Sequence, residues 1–110
     1  MPTRDELLLL QTEAEAEVAT LQRDLTALFE ASRSSNADDE HDPEGSTIAF
    51  ERAQLTAVLG AARRRVTDLT GALERLETGG YGVCESCGKP IPAARLQARP
   101  SARTCVACAA

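Results

Sequence analysis

Residues 48–80 read Ile48-Ala-Phe-Glu-Arg-Ala-Gln-Leu-Thr-Ala-Val-Leu-Gly-Ala-Ala-Arg-Arg-Arg-Val-Thr-Asp-Leu-Thr-Gly-Ala-Leu-Glu-Arg-Leu-Glu-Thr-Gly-Gly80. Within them Ile48, Arg52, Leu55, Leu59, Ala62, Val66, Leu69, Leu73 and Leu76 recur at alternating spacings of four and three. That is the seam of a helix packed along a second helix, with Arg52 its one charged member. Gly79-Gly80 closes the run, as a residue free to take positive φ does at a helix C-terminus. Asp42-Pro43 opens it, an N-cap carboxylate followed by a proline whose missing N–H is not needed there. Gly45-Ser46 offers a second start slightly later. A helix is predicted over about 43–78.

The partner lies upstream. Leu7, Gln11, Ala14, Val18, Leu21, Leu25 and Leu28 repeat the same spacing, with Gln11 the polar member. Thr3 and Glu6 form a T-x-x-E capping box, and Asp5 and Glu6 suit the positive end of the helix dipole. The pattern fades at Ser32-Arg-Ser-Ser-Asn36, residues that favour turns. A helix over about 3–33 would be about 45 Å long at ~1.5 Å per residue. Two helices of similar length joined by a short polar segment fold back on each other. The expected fold is mostly α, with a long antiparallel two-helix coiled-coil hairpin in residues 1–79. Pairing Leu28 with Ile48 sets Leu21 opposite Leu55, Ala14 opposite Ala62 and Leu7 opposite Leu69. Leu73 and Leu76 are then left over, and Tyr81, Val83, Ile91 and Leu96 are the apolar side chains expected to cover them. The same register puts Arg63, Arg64 and Arg65 near Glu13, Glu15 and Glu17. Charge pairing within the hairpin explains those arginines more simply than a nucleic-acid patch does.

Composition limits function. The 110 residues carry a net charge of -5, and only three aromatics are present, Phe29, Phe50 and Tyr81. A net acidic chain lacks the basic face that direct DNA binding needs. No apolar run approaches the ~20 residues of a membrane span, and the N-terminus does not read as a signal peptide. A cytoplasmic location is expected. There, four cysteines serve as metal ligands rather than disulfides.

Those cysteines form two pairs, Cys84-Glu-Ser-Cys87 and Cys105-Val-Ala-Cys108, with 17 residues between them. Each C-x-x-C supplies two thiolates from one tight turn, and a linker of ~15–20 residues lets the turns face each other across a tetrahedral Zn²⁺. Four protein ligands leave no open position for a substrate water, so one structural zinc is expected and an enzyme is not. The small zinc finger or ribbon is expected to occupy 80–110, packed on the hairpin base. Pro90, Pro92 and Pro100 forbid a long regular element inside it.

Between the helices, residues 34–45 form an acidic tip. Asp38, Asp39, Glu40, Asp42 and Glu44 carry no basic counterpart in residues 36–46. The spacing does not match a Ca²⁺ loop, and His41 reads as a solvated loop histidine. Phe50 falls off the seam, as a cap over the tip with Phe29 or as an exposed contact. With Glu40 and Glu44 on the tip, and Arg95, Arg99 and Arg103 on the finger, it is a candidate partner contact.

The stretch from Tyr81 to Cys108 resembles the zinc finger of DksA/TraR-type transcription regulators. The match covers Cys-Glu-Ser-Cys-Gly, Ile-Pro-x-x-Arg-Leu-x-Ala-x-Pro and the final Cys-x-x-Cys, and the preceding hairpin with an acidic turn extends the likeness across most of the chain. The resemblance implies a non-enzymatic regulator that binds bacterial RNA polymerase; the paired seams and the short turn make an intramolecular hairpin, and so a monomer, the expectation. It implies that the hairpin enters the secondary channel, that the finger braces its base, and that Asp39 and Asp42 act near the active centre. The family's tip reads Asp-x-x-Asp-x-Ala; here Glu44 replaces the alanine, so the third position does not carry over. The sequence stops two residues after Cys108, so it resembles a short member lacking the helix that follows the finger in longer relatives. Contacts by that helix, and any alarmone response depending on it, do not carry over. The alternative is a zinc-ribbon adaptor that binds another protein or nucleic acid through Arg95, Arg99 and Arg103.

Overall fold

A computed structural model describes residues 1–35 and 43–109. Helix α1 spans Arg4–Ser35, α2 spans Pro43–Thr78 and α3 spans Ala93–Ala98, with a 3₁₀ turn at Val106–Cys108. No strand is present among the described residues; Val83 and Pro90 form an isolated antiparallel bridge. The chain divides into two compact units, one of Met1–Glu13 with Arg65–Ala110 and one of Ala14–Arg64.

The N-terminal cap of α1 and the C-terminal cap of α2 are where local chemistry predicts them; Asp42, the expected N-cap of α2, lies outside the described residues. Thr3 Oγ1 accepts from the Glu6 amide at 3.2 Å, the hydroxyl half of the capping box. Gly79 takes φ of +88°, and the Gly80 amide donates back to the Arg75 carbonyl at 2.8 Å. That six-to-one bond is a Schellman ending, and it turns the chain out of α2.

In the first unit, Leu7, Leu69, Ala72 and Leu73 are buried together with Tyr81, Ile91 and Leu96. Each large apolar side chain fully withdrawn from water contributes about 1.5–3 kcal/mol. Gln11 Nε2 donates to Thr70 Oγ1 at 2.8 Å, and the Thr70 hydroxyl donates on to the Val66 carbonyl at 2.8 Å. Arg4 pairs with Glu77 at 3.6 Å. These contacts correct the register expected from seam spacing. Pairing Leu7 with Leu69 would set Gln11 opposite Arg65, but it meets Thr70, about one helical turn further along α2. Leu73 and Leu76 therefore lie level with the first turns of α1 instead of beyond its end. The reason is polar matching: the seam's one amide reaches a hydroxyl. Val83, expected among their apolar covers, is exposed instead.

In the second unit, Leu25, Leu59, Ala14 and Ala62 are buried and Val18, Leu21, Leu28, Ile48 and Leu55 half-buried. Arg52, the charged seam member, lies with its guanidinium carbon 5.0 Å from the centroid of the Phe29 ring. A cation over an aromatic face satisfies the charge without burying it. Arg63 donates from Nη2 to the Gln22 side-chain oxygen.

Candidate metal centre

The two C-x-x-C turns lie in the first unit and are built by backbone hydrogen bonds. Cys84 donates its amide to the Lys89 carbonyl at 2.9 Å, and Gly88 donates back to the Cys84 carbonyl at 2.9 Å. Gly88 takes φ of +75°, a conformation that strains any residue with a Cβ. In the second turn the Cys108 amide reaches the Cys105 carbonyl at 3.1 Å. The turns are joined directly, because the Glu85 amide donates to the Arg103 carbonyl at 2.9 Å and Arg103 pairs with the Glu85 carboxylate at 3.3 Å.

This brings the Sγ atoms of Cys84, Cys87, Cys105 and Cys108 within 4.8 Å of one another. A tetrahedron with Zn–S bonds of about 2.3 Å has edges of about 3.8 Å. Cys87 and Cys105 stand 3.8 Å apart. Donor set and spacing both fit one structural zinc.

Thiol electrostatics agree. Amide hydrogen bonds from Cys105 and then Cys87 push the buried Cys84 thiol down to about 6. Hydrogen bonding to Cys105 and then Cys84 pushes Cys108 up to about 12. Cys84 thus readily holds a thiolate while Cys87 and Cys108 are raised, and Zn²⁺ supplies the positive charge that lets thiolates gather in one small space.

Around the turns, Tyr81 is buried and donates its hydroxyl to the Pro100 carbonyl at 2.7 Å. Burial raises its ionisation above the ordinary 10.0. Arg75 donates from Nη2 to the Ser101 carbonyl at 3.3 Å. Burial and then the charge of Arg103 hold that guanidinium below its usual value. Sequence reasoning missed Arg75 and Ala72. Both lie on a second stripe of α2, beside the seam, which turns toward the finger. The available signal was the excess of small residues there: a Cβ on Gly71 would stand 2.8 Å from Arg103 Nη2 and 3.3 Å from Arg75 Nη1.

Of the other candidate residues, the three arginines of the finger lie around one hollow. Arg95 is half-buried and donates from Nε to the Thr104 carbonyl at 2.7 Å. With Arg99, Arg103, Asp68 and Ser101 it lines a hollow of about 220 Å³. Phe50 is 64% exposed on α2, and Phe29, 44% exposed on α1, carries Arg52 over its ring. Asp39, Glu40, His41 and Asp42 lie outside the described residues, as does the side chain of Glu44.

Residues 79–110 match the prokaryotic dksA/traR C4-type zinc finger. General stress protein 16O of Bacillus subtilis is 36% identical over 72 residues, 66% of this chain and 44% of the relative. The RNA polymerase-binding transcription factor DksA of Caulobacter vibrioides is 50% identical over 40 residues, 36% of this chain and 28% of the relative. The chain thus spans less than half the length of these curated relatives. Among solved structures, the transcription factor DksA2 from Pseudomonas aeruginosa superimposes with a TM-score of 0.76 at 30% identity, over 94% of this chain and 74% of that one. Among the described residues no helix is long and apolar enough to cross a membrane.

Proposed function

Since the chain belongs to the DksA/TraR family of C4 zinc-finger proteins, we propose that it is a non-enzymatic transcription regulator that binds bacterial RNA polymerase. The observation that carries this reading is the likeness to a DksA-type transcription factor over 94% of the chain, which takes in both long helices and the finger. Fold likeness alone would be a weak warrant. Here this chain adds its own four-cysteine cluster and a match to a C4-type finger, and DksA of Caulobacter vibrioides is by name an RNA polymerase-binding factor.

In this reading the hairpin, residues 1–79, and the finger, residues 80–110, divide the work. The hairpin enters the secondary channel, and Asp39 and Asp42 bring negative charge to the active centre. The finger, held by zinc on Cys84, Cys87, Cys105 and Cys108, braces against the rim. Glu40, Glu44, Phe50 and Arg99 are the contact residues supported by charge or exposure. The protein acts as a monomer in the cytoplasm and reads no DNA sequence. An adaptor working through Arg95, Arg99 and Arg103 is the weaker reading, because Arg95 and Arg103 already donate within the finger.

The test is co-purification of the tagged chain with purified RNA polymerase, followed by transcription in vitro. Stoichiometric binding with a change in promoter-complex lifetime is expected. A chain that carries zinc and does not bind polymerase would sink the proposal.

A further inference from the structure

The segment 100–104 has no regular structure, yet it delivers Cys105 and Cys108 to the metal site. Four of its five carbonyls are occupied. Pro100 accepts from Tyr81 Oη at 2.7 Å, Ser101 from Arg75 Nη2 at 3.3 Å, Arg103 from the Glu85 amide at 2.9 Å and Thr104 from Arg95 Nε at 2.7 Å. The donors come from four places: the end of α2, the turn just after it, the first cysteine turn, and α3. Backbone polar groups of a loop ordinarily turn to water. Here three long side chains reach in to take them, two of them guanidiniums, whose hydrogen bonds are stronger than neutral ones.

From this pattern the structure assigns Tyr81, Arg75 and Arg95 as positioning residues for the zinc site: a carbonyl clasp that fixes the second cysteine pair opposite the first. None of the three touches the metal position. Each acts on the backbone that carries Cys105 and Cys108, and so sets how much reorganisation zinc binding requires. Ligand geometry held in advance raises metal affinity, just as hydrogen-bond partners behind a ligand do. The donors also match the charge of the site. Four thiolates and Zn²⁺ carry a net charge of -2, and Arg75 and Arg95 reach the loop leading into it, which itself carries Arg103. Gly71 belongs to the same device, because its missing Cβ leaves room on α2 for the Arg103 and Arg75 guanidiniums. The inference concerns zinc retention and is independent of the polymerase reading.

The test uses the full chain. Zinc affinity is measured by competition with a chromophoric chelator for the parent, Tyr81→Phe, Arg95→Met, Arg95→Lys and, as a control outside the clasp, Arg99→Met. Tyr81→Phe and Arg95→Met should each weaken zinc binding about 10-fold, the lower end of what outer-shell partners contribute. Arg95→Lys keeps a donor and should recover part of the loss, and Arg99→Met should match the parent. Cobalt substitution adds a spectroscopic readout, since the ligand-field bands report distortion of a tetrahedral thiolate site. Zinc affinities within twofold of the parent for both clasp variants would overturn the assignment, as would an equal loss in Arg99→Met. Tyr81→Phe removes a single oxygen, so it decides the matter if Arg95→Met does not fold.

Discussion

The hydrogen bond between Gln11 and Thr70 should set the pairing of α1 and α2 in the first unit, at a cost in stability. Two substitutions probe it from opposite sides. Thr70→Val removes the hydroxyl that accepts from Gln11 at 2.8 Å. Gln11 is half-buried, so its amide regains water only in part. A lost net hydrogen bond of this kind costs about 0.5–1.5 kcal/mol. Gln11→Leu has the other sign. The Thr70 hydroxyl still donates to the Val66 carbonyl, so nothing buried loses its partner. A leucine joins the seam, and partial burial of its side chain contributes up to about 1.5 kcal/mol. The prediction is thus asymmetric: Thr70→Val less stable by about 1 kcal/mol, Gln11→Leu neutral or more stable. At ~4–8 °C per kcal/mol for a domain of this size, the melting temperatures should separate by several degrees. Helical circular dichroism in zinc-saturated protein reads this out. With the polar layer gone, Gln11→Leu should also lose uniqueness of register, seen as more than one set of distances between spin labels on the two helices. A Gln11→Leu variant clearly less stable than the parent, with a single sharp distance, would refute the reasoning.

The remaining predictions follow from the finger and the tip. Cys84→Ser should abolish stoichiometric zinc in elemental analysis and leave most helical signal intact, because α1 and α2 hold 32 and 36 residues against 6 in α3. Leu96→Ala, at a site 1% exposed, should destabilise the zinc-bound protein by about 3 kcal/mol in denaturant melts. Tyr81 should steepen alkaline unfolding. Its folded-state ionisation is raised, so the unfolded chain loses that proton first, and the stability it contributes is complete below pH 10 and falls as pH rises beyond. Tyr81→Phe should flatten the stability profile above about pH 10. The Asp39→Asn, Asp42→Asn double variant should bind polymerase within a few-fold of the parent and lose its effect on transcription; equal regulation would remove the tip from the mechanism.

How much of this was readable in the sequence depends on the range of the interactions. Helix seams, the Thr3 cap, the glycine ending and the spacing of the four cysteines are local patterns with local physical causes, and each has its counterpart in the structure. The four sulfurs converge because the C-x-x-C turns allow few geometries. The clasp around them was not readable. Arg75, Tyr81 and Arg95 act on carbonyls at Ser101, Pro100 and Thr104, and a carbonyl looks the same behind every side chain. Arg95 and Arg103, ambiguous in sequence between contact and solvated charge, each have a hydrogen-bond or ion-pair partner within the finger, and Arg103 remains exposed.

The register error has a more general cause. A seam with spacing of four and three can slip by a turn and still put leucine against leucine or alanine, so apolar matching barely separates neighbouring alignments. The exceptions to the pattern carry the discriminating information. Gln11 demands a polar partner and finds Thr70; Arg52 demands an electron-rich face and finds Phe29. The residue numbers of each pair sum to 81, whereas the leucine pairing drawn from spacing sums to 76. Two independent polar exceptions, one in each unit, thus agree on one alignment against the apolar one. A two-helix hairpin is therefore better aligned by first matching the residues that break its seam.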